Sequence, residues 1–352
     1  MEENMFDDAN PAYTPISHFG EFGLIEHLTQ HFPIKNAAVV KGVGDDAAVI
    51  QHEAKGVTVV STDLLLEGVH FDLSYVPLRH LGYKAVVVNL SDIYAMNAQP
   101  IGITVSLGMS NRFTVEAMEE LYAGVQLACE KYGVDLLGGD TSSSKQGLML
   151  SVTAMGTSQA EKVAYRSGAK ANDLICVTGD LGAAYAGFLV LEREKAEFLH
   201  NPHLQPDLSD YDYVVGRQLK PETQPKLIQL LKEGNIQPTS MMDISDGLAS
   251  ELHHICRQSK CGCTIYADKL PIDFQTVAVA DEFQISAVTF ALNGGEDYEL
   301  LFTVDIADFQ KVKDLPNVTI IGHITGDEKK LDIVLAPGNM VEIEAQGWQH
   351  FK

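Results

Sequence analysis

The chain has 352 residues, 45% hydrophobic and 21% charged, with 25 Lys and Arg against 48 Asp and Glu, a formal net charge of −23. That length accommodates two domains with separate cores, and the composition is globular rather than disordered or fibrous. So acidic a protein has no general attraction for nucleic acid or an anionic membrane, and it can hold a polyphosphate only with cations as intermediaries.

Residues 1–15 are acidic and polar, without the basic and apolar regions of a signal peptide, and no apolar run reaches the length of a membrane span. Five cysteines in so long a chain make no disulfide framework. A cytoplasmic protein with no nucleic-acid or membrane partner is expected. Phe22, Ile25, Leu28 and Phe32 recur at helical spacing over 21–32, and Pro33 closes that helix. Strands are expected at 37–40, 48–50 and 57–60, on both sides of the loop that holds Asp45 and Asp46. Pro77 opens a second helix, which Pro100 ends, and on it Asn89 and Asp92 share a face. A strand at 103–109 precedes a helix over 114–131, with Val115, Met118, Tyr122, Val125 and Cys129 inward and Gly133 as its stop. Strands at 134–137 and 148–155 complete a first α/β unit, residues 1–158.

Composition turns polar and small over 156–170, which sets the boundary of a second unit, residues 159–352. There a strand at 174–178 leads through Gly179-Asp-Leu-Gly182 into a helix reaching Leu191. Residues 192–219 are charged and contain Pro202 and Pro206, so they read as a surface excursion with helical pieces. Helices are expected at 225–233 and 248–257, and strands at 240–244, 264–267, 298–304 and 318–321. The fold class is α/β (α+β) in two domains.

Carboxylates recur where strands or helices end, beside glycine, serine or threonine: Asp45-Asp46, Ser61-Thr-Asp63, Asp92, Gly138-Gly-Asp140, Asp243-Ile-Ser-Asp246 and Glu296-Asp297. Taken singly, each has an ordinary alternative as a β-turn, a strand end, a helix-face carboxylate or a cap. Taken together they suit one collected site for Mg²⁺, which prefers hard oxygen ligands and substrate phosphates. Gly42-Val-Gly44-Asp-Asp-Ala47 fits G-x-G-x-x-A loosely, but a strand follows it and two acids would repel a pyrophosphate. His253, His254, Cys256, Cys261 and Cys263 match no common zinc spacing and read as buried or incidental groups.

The stretches GVGDDAAVI, STDLLLEGVHF, LGYKAVVVNLSDIYAMNAQP, LLGGDT, YRSGAKANDLICVTGDLG, DISDGL and NGGEDYELLF resemble the thiamine-monophosphate kinase family, in that family's order, from residue 21 to 351. The resemblance implies a two-domain fold like that of aminoimidazole ribonucleotide synthetase, with an N-terminal α/β dimerisation domain and a C-terminal α/β domain. It implies a homodimer that uses ATP and several Mg²⁺ ions to convert thiamine monophosphate to thiamine diphosphate. Carried onto this sequence, Asp46, Ser61, Thr62, Asp63, Asp92, Asp140, Asp243 and Asp246 match metal-binding positions. Tyr122, Gly139, Asp140, Arg166 and Ser245 match nucleotide-binding positions, and His70, Glu296 and Trp348 match contacts to the thiamine phosphate. None acts as a general base; metal and Arg166 assist direct transfer. Tyr94 and Asn97 depart from the family's small residues, 192–219 is longer than usual, and 221–226 lacks an arginine often found there. A selenophosphate synthetase would need a reactive Cys near its N-terminus, and the first cysteine here is Cys129.

Overall fold

The computed structural model describes residues 14, 24, 27–41, 49–50, 56–203, 206–336 and 338–345. Short strands β1 (Val39–Lys41) and β2 (Val49–Ile50) lie where strands were expected, on either side of Asp45 and Asp46, and they pair antiparallel. Strands β3 (Gly56–Leu66), β4 (Gln99–Met109), β5 (Asp135–Ser143) and β6 (Met149–Gln159) form a four-stranded sheet in the order β3-β6-β4-β5. Its alternation is written in the burial: Leu150, Val152 and Ala154 of β6 are buried, while Ser151 and Thr153 between them are only half-buried.

The helix Leu78–Ala95 has no polar stripe because almost every side of it is covered; even Lys84 and Asn89 are buried. The helix Val115–Tyr132 starts at Thr114, whose hydroxyl accepts the Ala117 N–H, and stops at Gly133 in the left-handed region. The two helices meet backbone against backbone. A Cβ on Gly82 would lie 2.0 Å from the Leu121 carbonyl oxygen, and one on Gly124 would lie 1.9 Å from that of Arg79.

The remaining strands are β7 (Leu174–Thr178), β8 (Ser240–Asp243), β9 (Gly262–Tyr266), β10 (Leu300–Val304), β11 (Val318–Thr325), β12 (Leu331–Leu335) and β13 (Asn339–Glu342). They form a seven-stranded sheet in the order β13-β12-β9-β11-β7-β10-β8, antiparallel except for the β12–β9 pair. Ile175, Val177, Leu301 and Ile321 of this sheet pack with Leu248, Leu252 and Ile255 of the helix Leu248–Ser259.

Residues 192–219 hold the helical pieces expected of them, but not all of the segment lies at the surface. The helix Ala183–His200 runs nine residues past Leu191, and a further helix, Asp212–Leu219, buries Val214, Val215 and Gln218. The prolines lie between the two helices and break neither. Two compact units are distinguished, one of Met1–His52, Thr62–Val86 and Ile101–Ala154, the other of Glu53–Ser61, Val87–Pro100 and Met155–Lys352.

Candidate functional site

In the second unit, the connection after β8 and the one before β10 are joined backbone to backbone. The Ile244 N–H donates to Glu299 O at 2.8 Å, Tyr298 N–H to Ile244 O at 2.9 Å, and Glu296 N–H to Ser245 O at 2.7 Å. Glu296 and Tyr298 both hold positive φ, 58° and 52°, a region that bulky residues avoid and that recurs at functional sites. Asp243, Ser245 and Asp246 do not cap the helix Leu248–Ser259; its N-cap is Gly247, with no side-chain cap hydrogen bond. The helix supports the loop instead. Buried Glu251 takes the Ser245 and Asp246 N–H groups on Oε1, at 3.0 and 2.8 Å. Burial pushes its carboxyl up to about 7, against the pull of those two hydrogen bonds and with the help of the Asp246 charge.

Asp92 lies on the half-buried flank of its helix and accepts a hydrogen bond from the Ser61 hydroxyl. Burial raises its pKa, and the Ser61 bond and the Arg166 charge oppose the rise. Arg166 is exposed. It also acts on His254, whose pKa is lowered by burial first, then by Arg166 and Arg257, with Asp246 pulling the other way. Arg257 donates to His254 Nδ1 at 3.1 Å, so that ring nitrogen is an acceptor. Ser61, Asp92, Arg166, Asp246 and His254 thus form one polar neighbourhood, in which His254 was not singled out as a site residue by its spacing.

A second charged cluster lies beside Glu296. Arg217 of the helix Asp212–Leu219 reaches Asp180 Oδ2 at 3.3 Å, Glu299 Oε1 at 3.3 Å and Asp297 Oδ1 at 4.0 Å. It donates as well to the carbonyl oxygens of Asp180 and Asp297, at 3.2 and 3.4 Å. Asp297 is fully buried and accepts the Gly182 N–H at 2.8 Å, just ahead of the helix Ala183–His200. Burial pushes its carboxyl up to about 7 even with Arg217 beside it. Next along the helix, Gln218 Nε2 donates to Glu296 Oε2 at 2.7 Å.

The other expected residues belong to the first unit. Asp63 is half-buried on β3, while Thr62 points to the opposite face and donates to Val152 O at 3.1 Å. His70 Nδ1 accepts the Leu66 N–H at 3.0 Å, which leaves the proton of a neutral ring on Nε2. Tyr122 is buried, and burial pushes its hydroxyl up to about 12. Gly139 and Asp140 lie within β5, not in a turn, with Asp140 exposed and opposite Ser106 of β4. A Cβ on Gly139 would stand 1.8 Å from the Val105 carbonyl oxygen, so strand pairing alone demands glycine there. Asp45, Asp46 and Trp348 lie outside the described residues.

Among the described residues, no group of three or more His, Cys, Asp or Glu could hold a metal ion. The hydroxyl and carboxylate oxygens of Ser61, Asp92, Asp243 and Asp246 have the hard chemistry of Mg²⁺ ligands, and Mg²⁺ is characteristically held by one or two carboxylates completed by substrate phosphates. A zinc site at 253–263 finds no support: His253 Nε2 bonds Ile343 O at 2.8 Å, and all five cysteines are buried free thiols. No described helix is long and apolar enough to cross a membrane. Glu251, Arg217, Gln218 and Glu299 escaped sequence reasoning, and Asp297, marked there as a candidate metal ligand, instead accepts the Gly182 N–H beside Arg217. The one available signal was Val214-Val-Gly-Arg-Gln218, inside a segment that its charge and prolines marked as surface.

Comparison with known proteins places these loops in a family. The profile for AIR synthase related protein, N-terminal domain, matches residues 44–158, and that for the C-terminal domain matches 170–333. A thiamine-monophosphate kinase of Buchnera aphidicola subsp. Schizaphis graminum is 34% identical over 341 residues, covering 95% of this chain and 99% of that protein. One of Bacillus subtilis is 33% identical over 338 residues, covering 94% and 99%. A solved structure of AaThiL complexed with AMPPCP and TMP superposes with a TM-score of 0.74 at 28% identity, covering 96% of this chain and 98% of that one. Likeness at a third identity along nearly the whole of both sequences shows that the chain belongs to the thiamine-monophosphate kinase family.

Proposed function

We propose that this chain transfers the γ-phosphoryl group of ATP to the phosphate of thiamine monophosphate. The products are ADP and thiamine diphosphate, and the reaction is the last step in making that cofactor. The observation that carries this is the full-length likeness to the AaThiL complex with AMPPCP, a β,γ-methylene analogue of ATP, and TMP, read as thiamine monophosphate. Transfer is direct and in line, without a phosphoenzyme. The acceptor is a phosphate monoester whose second pKa is about 6, so at neutral pH it is largely a dianion and needs no general base. The barrier to overcome is repulsion between two anions.

Mg²⁺, when bound, supplies the positive charge that neutralises the phosphates. Asp46, Asp63, Asp92, Asp140, Asp243 and Asp246 would hold it, with Ser61 beside them; the Thr62 hydroxyl, on the opposite face of β3 and bonded to Val152 O, would not take part. Arg166, exposed next to Asp92, adds a fixed positive charge toward the phosphates. Tyr122, Gly139 and Ser245 contact the nucleotide. His70, Glu296 and Trp348 select the thiamine end, Trp348 by stacking and Glu296 by facing the cationic ring. The domains are residues 1–158, which forms the homodimer, and 159–352, and five buried free thiols suit a reducing cytoplasm.

The test is incubation with ATP, Mg²⁺ and either thiamine monophosphate or free thiamine, followed by separation of the products. Thiamine diphosphate is expected from the monophosphate, and no product from the unphosphorylated vitamin. Comparable turnover of thiamine would overturn transfer without a base.

A further inference from the structure

Resting on the reading of Glu296 as a contact to the thiamine end, we infer that Gln218 is the positioning residue for that carboxylate, in a helix that sends its charge elsewhere. The helix Asp212–Leu219 presents two strong donors in succession, and the structure gives them different tasks. Arg217 is turned into Asp180, Glu299 and the buried Asp297, with further bonds to the carbonyl oxygens of Asp180 and Asp297. Both terminal nitrogens of the guanidinium are engaged there. Gln218, buried beside it, donates its amide to Glu296 Oε2 at 2.7 Å.

An amide holds a carboxylate in place without offsetting its formal charge, whereas a cation at residue 218 would offset it. The backbone of Glu296 is fixed as well, at φ 58° with its N–H on Ser245 O at 2.7 Å. Main chain and side chain together orient a half-buried carboxylate with no cation brought to it by this helix. The ligand chemistry this serves is a phosphate monoester bearing a quaternary nitrogen in an aromatic ring. Gln218 therefore contributes to selection of the cationic ring and not to handling of ATP.

The experiment is steady-state kinetics with thiamine monophosphate and ATP varied in turn, for wild type, Gln218→Met, Gln218→Lys, Glu296→Gln and the double variant Gln218→Met with Glu296→Gln. Inhibition by the phosphate ester of 4-methyl-5-(2-hydroxyethyl)thiazole, which lacks the quaternary nitrogen, is measured alongside. Losing a hydrogen bond to a charged group in Gln218→Met, and offsetting the Glu296 charge in Gln218→Lys, should each raise the thiamine monophosphate KM roughly ten- to a hundredfold, with the ATP KM and kcat near wild type. Gln218→Lys should also narrow the preference for the cationic over the neutral thiazole. Gln218→Met should add little once Glu296 is already Gln. An unmoved thiamine monophosphate KM in both Gln218 variants, or equal loss toward ATP, overturns the inference while a raised KM in Glu296→Gln keeps the underlying reading. A wild-type KM in Glu296→Gln removes that reading itself, and the inference with it.

Discussion

Asp180, Asp297 and Glu299 surround Arg217 where water does not reach Asp297 at all, so full ionisation would leave the cluster with more negative than positive charge. Burial resolves the excess by raising the pKa of Asp297 to about 7 from 3.8, and that of Glu299 upward too, with Arg217 opposing both shifts. The sign of the consequence follows from proton uptake. Between pH 3.8 and about 7 the folded chain keeps a proton on Asp297 that the unfolded chain has lost, so stability from this group falls as pH rises through that window. Asp297→Asn cannot titrate. Its melting temperature should therefore drop less than that of wild type between pH 5 and pH 7.5, and an unchanged pH dependence would place the excess charge on another group. The meeting of Arg217 with these carboxylates was illegible in the sequence, since its partners come from two other stretches of chain and no local spacing records it. By contrast Asp243, Ser245, Asp246 and Glu296 could be marked from their glycine-flanked motifs alone, because the glycines that let two loops join are themselves local.

At the scale of elements, capping and periodicity were sufficient wherever an element is amphipathic and bounded. The helix Val115–Tyr132 was readable to within one residue from Thr114 and Gly133, and β7 was readable in full from its apolar run. The helix Asp212–Leu219 was not, since Pro202, Pro206 and a run of charges hid the two valines that bury it. Nor were β12 and β13, whose short alternations mean nothing until β9 offers an edge to pair with. The strand β5 shows a glycine that strand pairing itself demands. Gly139→Ala should destabilise the ligand-free protein by about 1–3 kcal/mol, seen as a lower melting temperature, because the new Cβ meets the Val105 carbonyl. A variant that melts like wild type and loses only nucleotide affinity would assign that glycine to the ligand alone.

For the whole molecule, the face of β3 that carries Thr58, Val60, Thr62 and Leu64 stands out against a surface so rich in acids. Val60 and Leu64 are 60% and 52% exposed, on one face with Thr62 between them, along the edge strand of the four-stranded sheet. Two exposed branched apolar residues on an edge strand invite a second copy, and the proposed homodimer gives them one. Val60→Asp together with Leu64→Asp should halve the mass found by light scattering while the circular dichroism spectrum is retained. A wild-type protein that is already monomeric would refute the dimer, and a double variant that stays dimeric would move its interface elsewhere.

The place of β7 inside its sheet also governs how the protein can be made. Both neighbours of β7 come much later in the chain; the Thr178 hydroxyl, at its end, accepts the N–H of Leu300, 122 residues on. The Gly182 N–H likewise waits for Asp297, 115 residues away. At a synthesis rate of about 5–20 residues per second, the five apolar or small residues of β7 leave the ribosome roughly 6–25 s before anything can pair with them. During that interval the fully buried strand of the finished protein is an open edge, and nascent chains need shielding there until translation has passed β11.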